Sequence, residues 1–163
     1  MRRSAWVTGA TMLRLMVLAL SCGVLLHAGE AQAILGASAD TVVADQIRFK
    51  GEHRQSTGQR MNTHEISLPD GSSIKEYVNS AGLVFAVSWR TRLKPDLEKL
   101  LGTNFVVYAA KQRAATGLAE SKRQQTVRQP NLVVRQAGRM NAFAGLAYVP
   151  ALVPVGIDAD ALR

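Results

Sequence analysis

His64 and Glu65 open the pattern H-E-x-x-H, in which two histidines one helical turn apart hold zinc while the glutamate serves as general base. The chain leaves that pattern at once, because Leu68 stands where the second histidine belongs. The residues around His64 also alternate like a strand, where positions four apart do not form a helical ligand pair. A second arrangement sets His64 against Glu76 across a turn, an imidazole and a carboxylate able to pass a proton between them. The plainer expectation for these two is a solvent-facing cross-strand pair. Trp89 and Arg90, with Tyr77, could line a ligand face through stacking and cation–π contact. The plainer expectation puts the tryptophan in the core and the arginine at a strand end. No G-x-S-x-G elbow, phosphate-binding loop, dinucleotide fingerprint or EF-hand loop occurs. No catalytic residue, cofactor or metal ligand is assigned, and a hydrolase-like enzyme with an atypical site on a sheet stands as the alternative reading.

Charge is distributed unevenly along the chain. Seven basic residues, Lys111, Arg113, Lys122, Arg123, Arg128, Arg135 and Arg139, face the single acid Glu120 within one segment. They are the candidate contacts for an anion or a partner, set against the plain reading of a solvated basic loop. Which polyanion they could meet depends on the compartment. Arg2, Arg3 and Arg14 flank the apolar run from Leu15 to Leu26, and Ala31-Gln32-Ala33 offers small residues, which together predict a signal peptide cleaved after Ala33. That run of twelve residues is shorter than the roughly 20 that cross a bilayer, so no transmembrane span is expected after cleavage. Cleavage removes Cys22, the only cysteine, and with it any thiol nucleophile or thiolate metal site. It leaves 17 basic and 11 acidic residues, a net charge of +6. An exported chain of this kind, periplasmic or secreted, meets lipid headgroups, lipopolysaccharide and acidic glycans; nucleic acid is not the expected partner.

The elements that position these residues follow from periodicity. Ser38 or Asp40 can cap a short helix through about Phe49, and the polar segment from Lys50 to Asn62 is expected as a flexible connector, so 34–62 forms an N-terminal helix and linker. A single domain occupies 63–154. Alternation on either side of Pro69-Asp70-Gly71 predicts a hairpin, with Asp70 bonding its own backbone and Gly71 taking a positive φ. After the turn at Asn79 to Gly82, Leu83, Phe85, Val87 and Trp89 are expected to share one face of a third strand. Pro95 and Asp96 open a helix that Gly102 ends, and Thr103 caps a second one through about Ala115. Residues 116–129 are expected as a mobile basic loop. A strand over Asn131 to Ala137, a turn from Gly138 and a strand within Met140 to Val149 complete the domain, before Pro150 and Pro154 stop the pairing. In the tail, 155–163, only Ile157 and Leu162 offer packing side chains. The expected class is α+β, an antiparallel sheet of about five strands with the segment from Asp96 to Ala115 across one face and the N-terminal helix nearby.

The runs H-E-I-x-L-P-D-G, K-E-Y-V, G-L-V-F-A-V-S-W, P-D-L-E-K-L-L-G and M-N-A-F-A-G-L-A-Y-V-P-A-L-V-P resemble, in order and spacing, a family of exported proteobacterial proteins classed as a domain of unknown function. The resemblance covers most of the chain beyond the leader. It implies a Gram-negative source and an envelope or secreted location, and it implies no activity. Related sequences tend to carry Gly-Pro where this chain has Thr91-Arg92, and Gly-Gly-His-Met where it has Ala137-Gly138-Arg139-Met140. Arg139 stays protonated near neutral pH and cannot act as a base there. The expected function is a non-catalytic envelope protein that contacts a protein partner or an anionic surface polymer. A third possibility is a structural subunit that self-associates through a bare sheet face or edge.

Overall fold

The computed structural model of the protein describes residues 35–40, 47, 50–115 and 124–163. The leader, most of the expected N-terminal helix, and Lys122 and Arg123 lie outside the described residues. Among the described residues seven strands form one antiparallel sheet: β1 (Glu52–Thr57), β2 (Met61–Ser67), β3 (Ser73–Asn79), β4 (Val84–Thr91), β5 (Gln124–Gln129), β6 (Leu132–Arg139) and β7 (Ala142–Tyr148). Their order across the sheet is β1-β2-β3-β4-β7-β6-β5, two meanders that meet at the β4–β7 pair. Two helices, α1 (Leu97–Leu101) and α2 (Phe105–Ala115), make the long connection between the meanders.

The count of about five strands is corrected to seven, and the fold is mainly β with a helical layer. Both added strands lie in segments expected as loops, β1 in the connector and β5 in the basic loop. Both are edge strands, EHRQST and QQTVRQ, with few buried positions. An edge strand needs only one neighbour to pair with, so it forms without the apolar alternation that marks a buried one.

The first hairpin forms as expected. Asp70 accepts from the Ser72 amide and the Ser72 hydroxyl, each at 2.9 Å, and Gly71 takes φ +81°. In the second turn Asn79 Oδ1 accepts from the amides of Ala81 and Leu83, both at 3.0 Å. Asp96 caps α1 by accepting from the Lys99 amide, and Gly102 ends it. A three-residue 3-10 turn, Gly102–Asn104, then leads into α2 in place of a Thr103 cap. Gly138 lies inside β6, and the following turn is the pair Met140-Asn141, with Asn141 at φ +60° in the left-handed region that asparagine tolerates.

Two cores sandwich the sheet. On the inner face, Ile66, Ile74, Val78, Val84, Val87, Trp89, Leu132, Val134 and Ala147 pack against Leu97, Leu100, Leu101 and Tyr108 of the helices and against Leu35. On the outer face, Tyr77, Phe85, Ala86 and Leu146 pack against Leu152, Val153, Ile157 and Leu162 of the C-terminal segment. The tail is therefore a packed strap, and Ile157 and Leu162 are two of its anchors. The single face expected for Leu83, Phe85, Val87 and Trp89 is broken at a β-bulge. Tyr77 pairs with Ala86 while Val78 pairs with Val84, so Phe85 is an extra residue and turns outward.

Candidate functional site

Three places gather polar side chains. The first is on the inner face. His64 lies directly opposite Glu76 in the β2–β3 register, and both are buried, at 7% and 2% exposure. The expected solvent-facing pair is thus corrected: each shares its strand face with Ile66 or Ile74 and turns inward. His53 of β1 joins them, its Nε2 lying 3.0 Å from His64 Nδ1 with the rings near-parallel. Two positive charges at that spacing oppose one another, and burial, followed by the charge of His53, holds the His64 pKa below its ordinary value.

The second place is the outer face. The five described residues of the basic segment divide across the sheet. Lys111 and Arg113 are exposed on α2 on the inner side, whereas Arg128, Arg135 and Arg139 share the strand faces that Val133 and Leu146 mark as outer. Arg135 is bound to Asp160 of the strap at 2.6 Å, and Tyr148 donates to the same carboxylate oxygen at 3.2 Å. The Arg135 hydrogen bond holds the Asp160 pKa below its ordinary value, while burial raises that of Tyr148.

Arg139 meets two residues that the basic segment does not contain. It rims a groove of about 400 Å³ with Arg90 and Arg92. The floor is small: Arg90 pairs with Ala144, Ala144 with Ala137, and Arg139 with Ala142. No carboxylate among the described residues lines this groove. Asp70 of the first turn is the acid whose charge interacts with Arg92. An adjoining depression of about 310 Å³ shares Arg90, Ala137 and Ala144 and adds Arg135, Arg163 and Asp160. Sequence periodicity could place Arg90 opposite Trp89 in facing, but only the β4–β7–β6 register brings it beside Arg139, because the two lie on strands 49 positions apart. The same alternation dissolves the expected Trp89, Arg90 and Tyr77 ligand face: Trp89 points inward, while Tyr77 packs on the outer side.

The third place is a cleft of about 700 Å³ between the helices and the inner face. Trp89 lies over Gly145 and Phe143 over Gly138, and the two rings with Gly138 form part of its floor. Its polar part is a four-membered ring of hydrogen bonds. Gln112 Nε2 donates to Tyr108 Oη at 2.7 Å and to Gln125 Oε1 at 2.8 Å, and Gln136 Nε2 donates to the same two oxygens at 2.7 Å each.

Among the described residues no group of three histidine, cysteine or acidic side chains is arranged to hold a metal. No helix among them is long and apolar enough to cross a membrane. Fold and sites together define an open antiparallel sheet held between a helical layer and a C-terminal strap, with a concave surface on each side. The chain belongs to the family described as protein of unknown function (DUF2844), whose model matches residues 31–162. No curated protein and no solved structure matches it.

Proposed function

We propose that this chain is an exported envelope protein that binds an anionic surface polymer along the arginine-rimmed half of its outer sheet face, without catalysing a reaction on it. The observation that carries the reading is the convergence of Arg90, Arg92 and Arg139 around an alanine floor, with no carboxylate among the described residues lining the groove. Arginine presents a planar fork suited to phosphate and carboxylate groups, and small floor residues let an extended polymer approach the strands. Lys111 and Arg113 belong to the opposite side and are not part of this contact. The strap leaves this half of the face open, since Ala137, Ala142 and Ala144 are exposed. The leader-like N-terminal sequence supports export and makes acidic glycans and lipopolysaccharide the relevant polyanions. His64 and Glu76 lie on the inner face and Arg139 on the outer one, so Arg139 shares no pocket with the other two, and the binding reading is preferred to the hydrolase-like alternative.

The test is R90Q/R92Q/R139Q, measured for association with lipopolysaccharide over a range of salt. Each arginine near an anionic surface contributes about 1 kcal/mol, so the triple variant loses about 3 kcal/mol, or about 100-fold in affinity at low salt. K111Q/R113Q, the control on the other face, retains wild-type binding. Salt-independent association, or equal loss in the two variants, removes the reading.

A further inference from the structure

The arginine groove opens at one end of the sheet. The register brings three loops to that end: β2 turns into β3 at Asp70-Gly71, β4 leaves the sheet after Thr91, and β6 turns into β7 at Met140-Asn141. Two of these loops expose a large apolar side chain directly beside a groove arginine. Leu93 follows Arg92 and is 72% exposed, and Met140 follows Arg139 and is 90% exposed. Neither belongs to a frayed end: the Leu93 carbonyl accepts from the Thr91 hydroxyl at 2.7 Å, and Met140 stands between the paired strand ends Arg139 and Ala142. Lys94, exposed on the other side of Leu93, adds a fourth cation. Scattered exposed apolar residues are ordinary on a protein surface. A pair interleaved with Arg92, Lys94 and Arg139 at one sheet end is an amphipathic arrangement, cations and apolar tips presented together.

We infer that this end of the sheet docks on an anionic lipid surface, with the three arginines and Lys94 at the level of the headgroup phosphates and Leu93 and Met140 below them among the acyl chains. The inference rests on the arginine reading above and narrows its anion to one anchored in a lipid layer. A soluble acidic glycan neutralises the cations but leaves both apolar tips in water. A lipid headgroup layer meets both, because its phosphates lie over hydrocarbon. Four cations and two inserted side chains make a reversible contact, not an anchor, and the contact uses the protein end-on, with the strap and the helical layer clear of the surface.

Two probes test it on the full chain: vesicles of mixed phosphatidylglycerol and phosphatidylcholine, and polygalacturonate, a soluble polyanion without acyl chains. L93S/M140S removes no charge and touches no core residue. It is expected to lose about tenfold or more in vesicle affinity, the effect of half-burying two such side chains, while binding polygalacturonate as the wild type does. R90Q/R92Q/R139Q is expected to lose affinity for both probes. In a W6F background, where the buried Trp89 is the only other tryptophan, M140W is expected to be quenched by vesicles with brominated acyl chains. V155W is not, because Val155 lies at the opposite end of the sheet, where its carbonyl accepts from Arg60 at 3.1 Å. Unchanged vesicle affinity of L93S/M140S, or equal quenching at positions 140 and 155, overturns the lipid contact and leaves the arginine reading to stand on polygalacturonate. Binding of both probes without arginine dependence removes that reading and this inference together.

Discussion

A single methyl group at Gly145 tests how the inner core is built. Gly145 sits opposite Trp89 in the β4–β7 pair. A Cβ added there lies 2.5 Å from Trp89 Cε2 and 2.8 Å from the Arg135 carbonyl oxygen, well inside contact distance. The backbone cannot yield without breaking strand pairing, so the indole has to tilt. A buried tryptophan covers about 200 Å². Exposing about a third of that area, at about 25 cal/mol per Å², costs about 2 kcal/mol, and residual overpacking adds about 1 kcal/mol or more. Gly145→Ala is therefore expected to lose about 3 kcal/mol of stability. Gly138→Ala meets an aromatic ring at a similar distance, with Phe143 Cδ1 at 2.5 Å. Phe143 is only half-buried and can swing aside, so that variant is expected to lose less than about 1 kcal/mol. Urea unfolding followed by Trp89 emission in a W6F background measures both. Combining G145A with W89L adds a coupling of about 1 kcal/mol or more that favours the double variant, because the smaller side chain relieves the clash. A G145A cost below about 1 kcal/mol, or one equal to that of G138A, refutes the stacking of Trp89 on Gly145 as the tight point of this core.

Stability is expected to depend on pH through His64. Its folded pKa lies below the ordinary value of 6.5, so the unfolded chain takes up a proton first as pH falls. The His64 contribution is complete above 6.5 and is lost as pH drops from there to the folded pKa. H53A removes the neighbouring charge and shifts the His64 titration upward by NMR, and an unchanged titration contradicts the coupling of the two rings. Asn79→Ala removes two acceptor contacts in the second turn and the Asn79 Nδ2 bond to the Leu152 carbonyl at 3.0 Å. At about 1 kcal/mol for each bond it is expected to cost about 2 to 3 kcal/mol and to speed hydrogen exchange in the strap; unaltered exchange across 150–163 shows that Asn79 does not hold the strap.

Local chemistry makes the central elements legible in the amino-acid sequence. Pro69-Asp70-Gly71, Asn79 to Gly82, Asp96 and Gly102 each act through their own backbone preferences, and each marks the turn or helix boundary expected of it. The edge strands carry no such mark. Gln124 to Gln129 carries one apolar side chain, Val127, and its pairing with β6 is a tertiary fact that periodicity does not encode. Candidate sites are legible only in part for the same reason. Clustering in sequence groups Lys111 with Arg139, which the sheet separates, and omits Arg90 and Arg92, which the register brings to Arg139. Alternation about the first turn sets His64 and Glu76 opposite one another, but the side they face is decided by burial of Ile66 and Ile74 beside them.

The bulge at Phe85 adds a ring to the outer core without turning Val84 out of the inner one. In an unbroken strand Val84 falls on the same side as Arg90, six positions on, and opposite Trp89. The extra residue shifts the phase once, so Val84, Val87 and Trp89 all enter the inner core while Phe85 and Ala86 enter the outer one. Beyond the bulge the alternation resumes, and adjacent residues serve opposite surfaces: Trp89 lines the cleft under the helices and Arg90 rims the groove beyond the strap. β4 is buried at six of its eight positions because both layers close over it. One strand therefore supplies a wall to each cavity, and deleting Phe85 joins Val84 to Ala86 in regular alternation, so that Trp89 and Arg90 keep their faces while the outer core loses one ring.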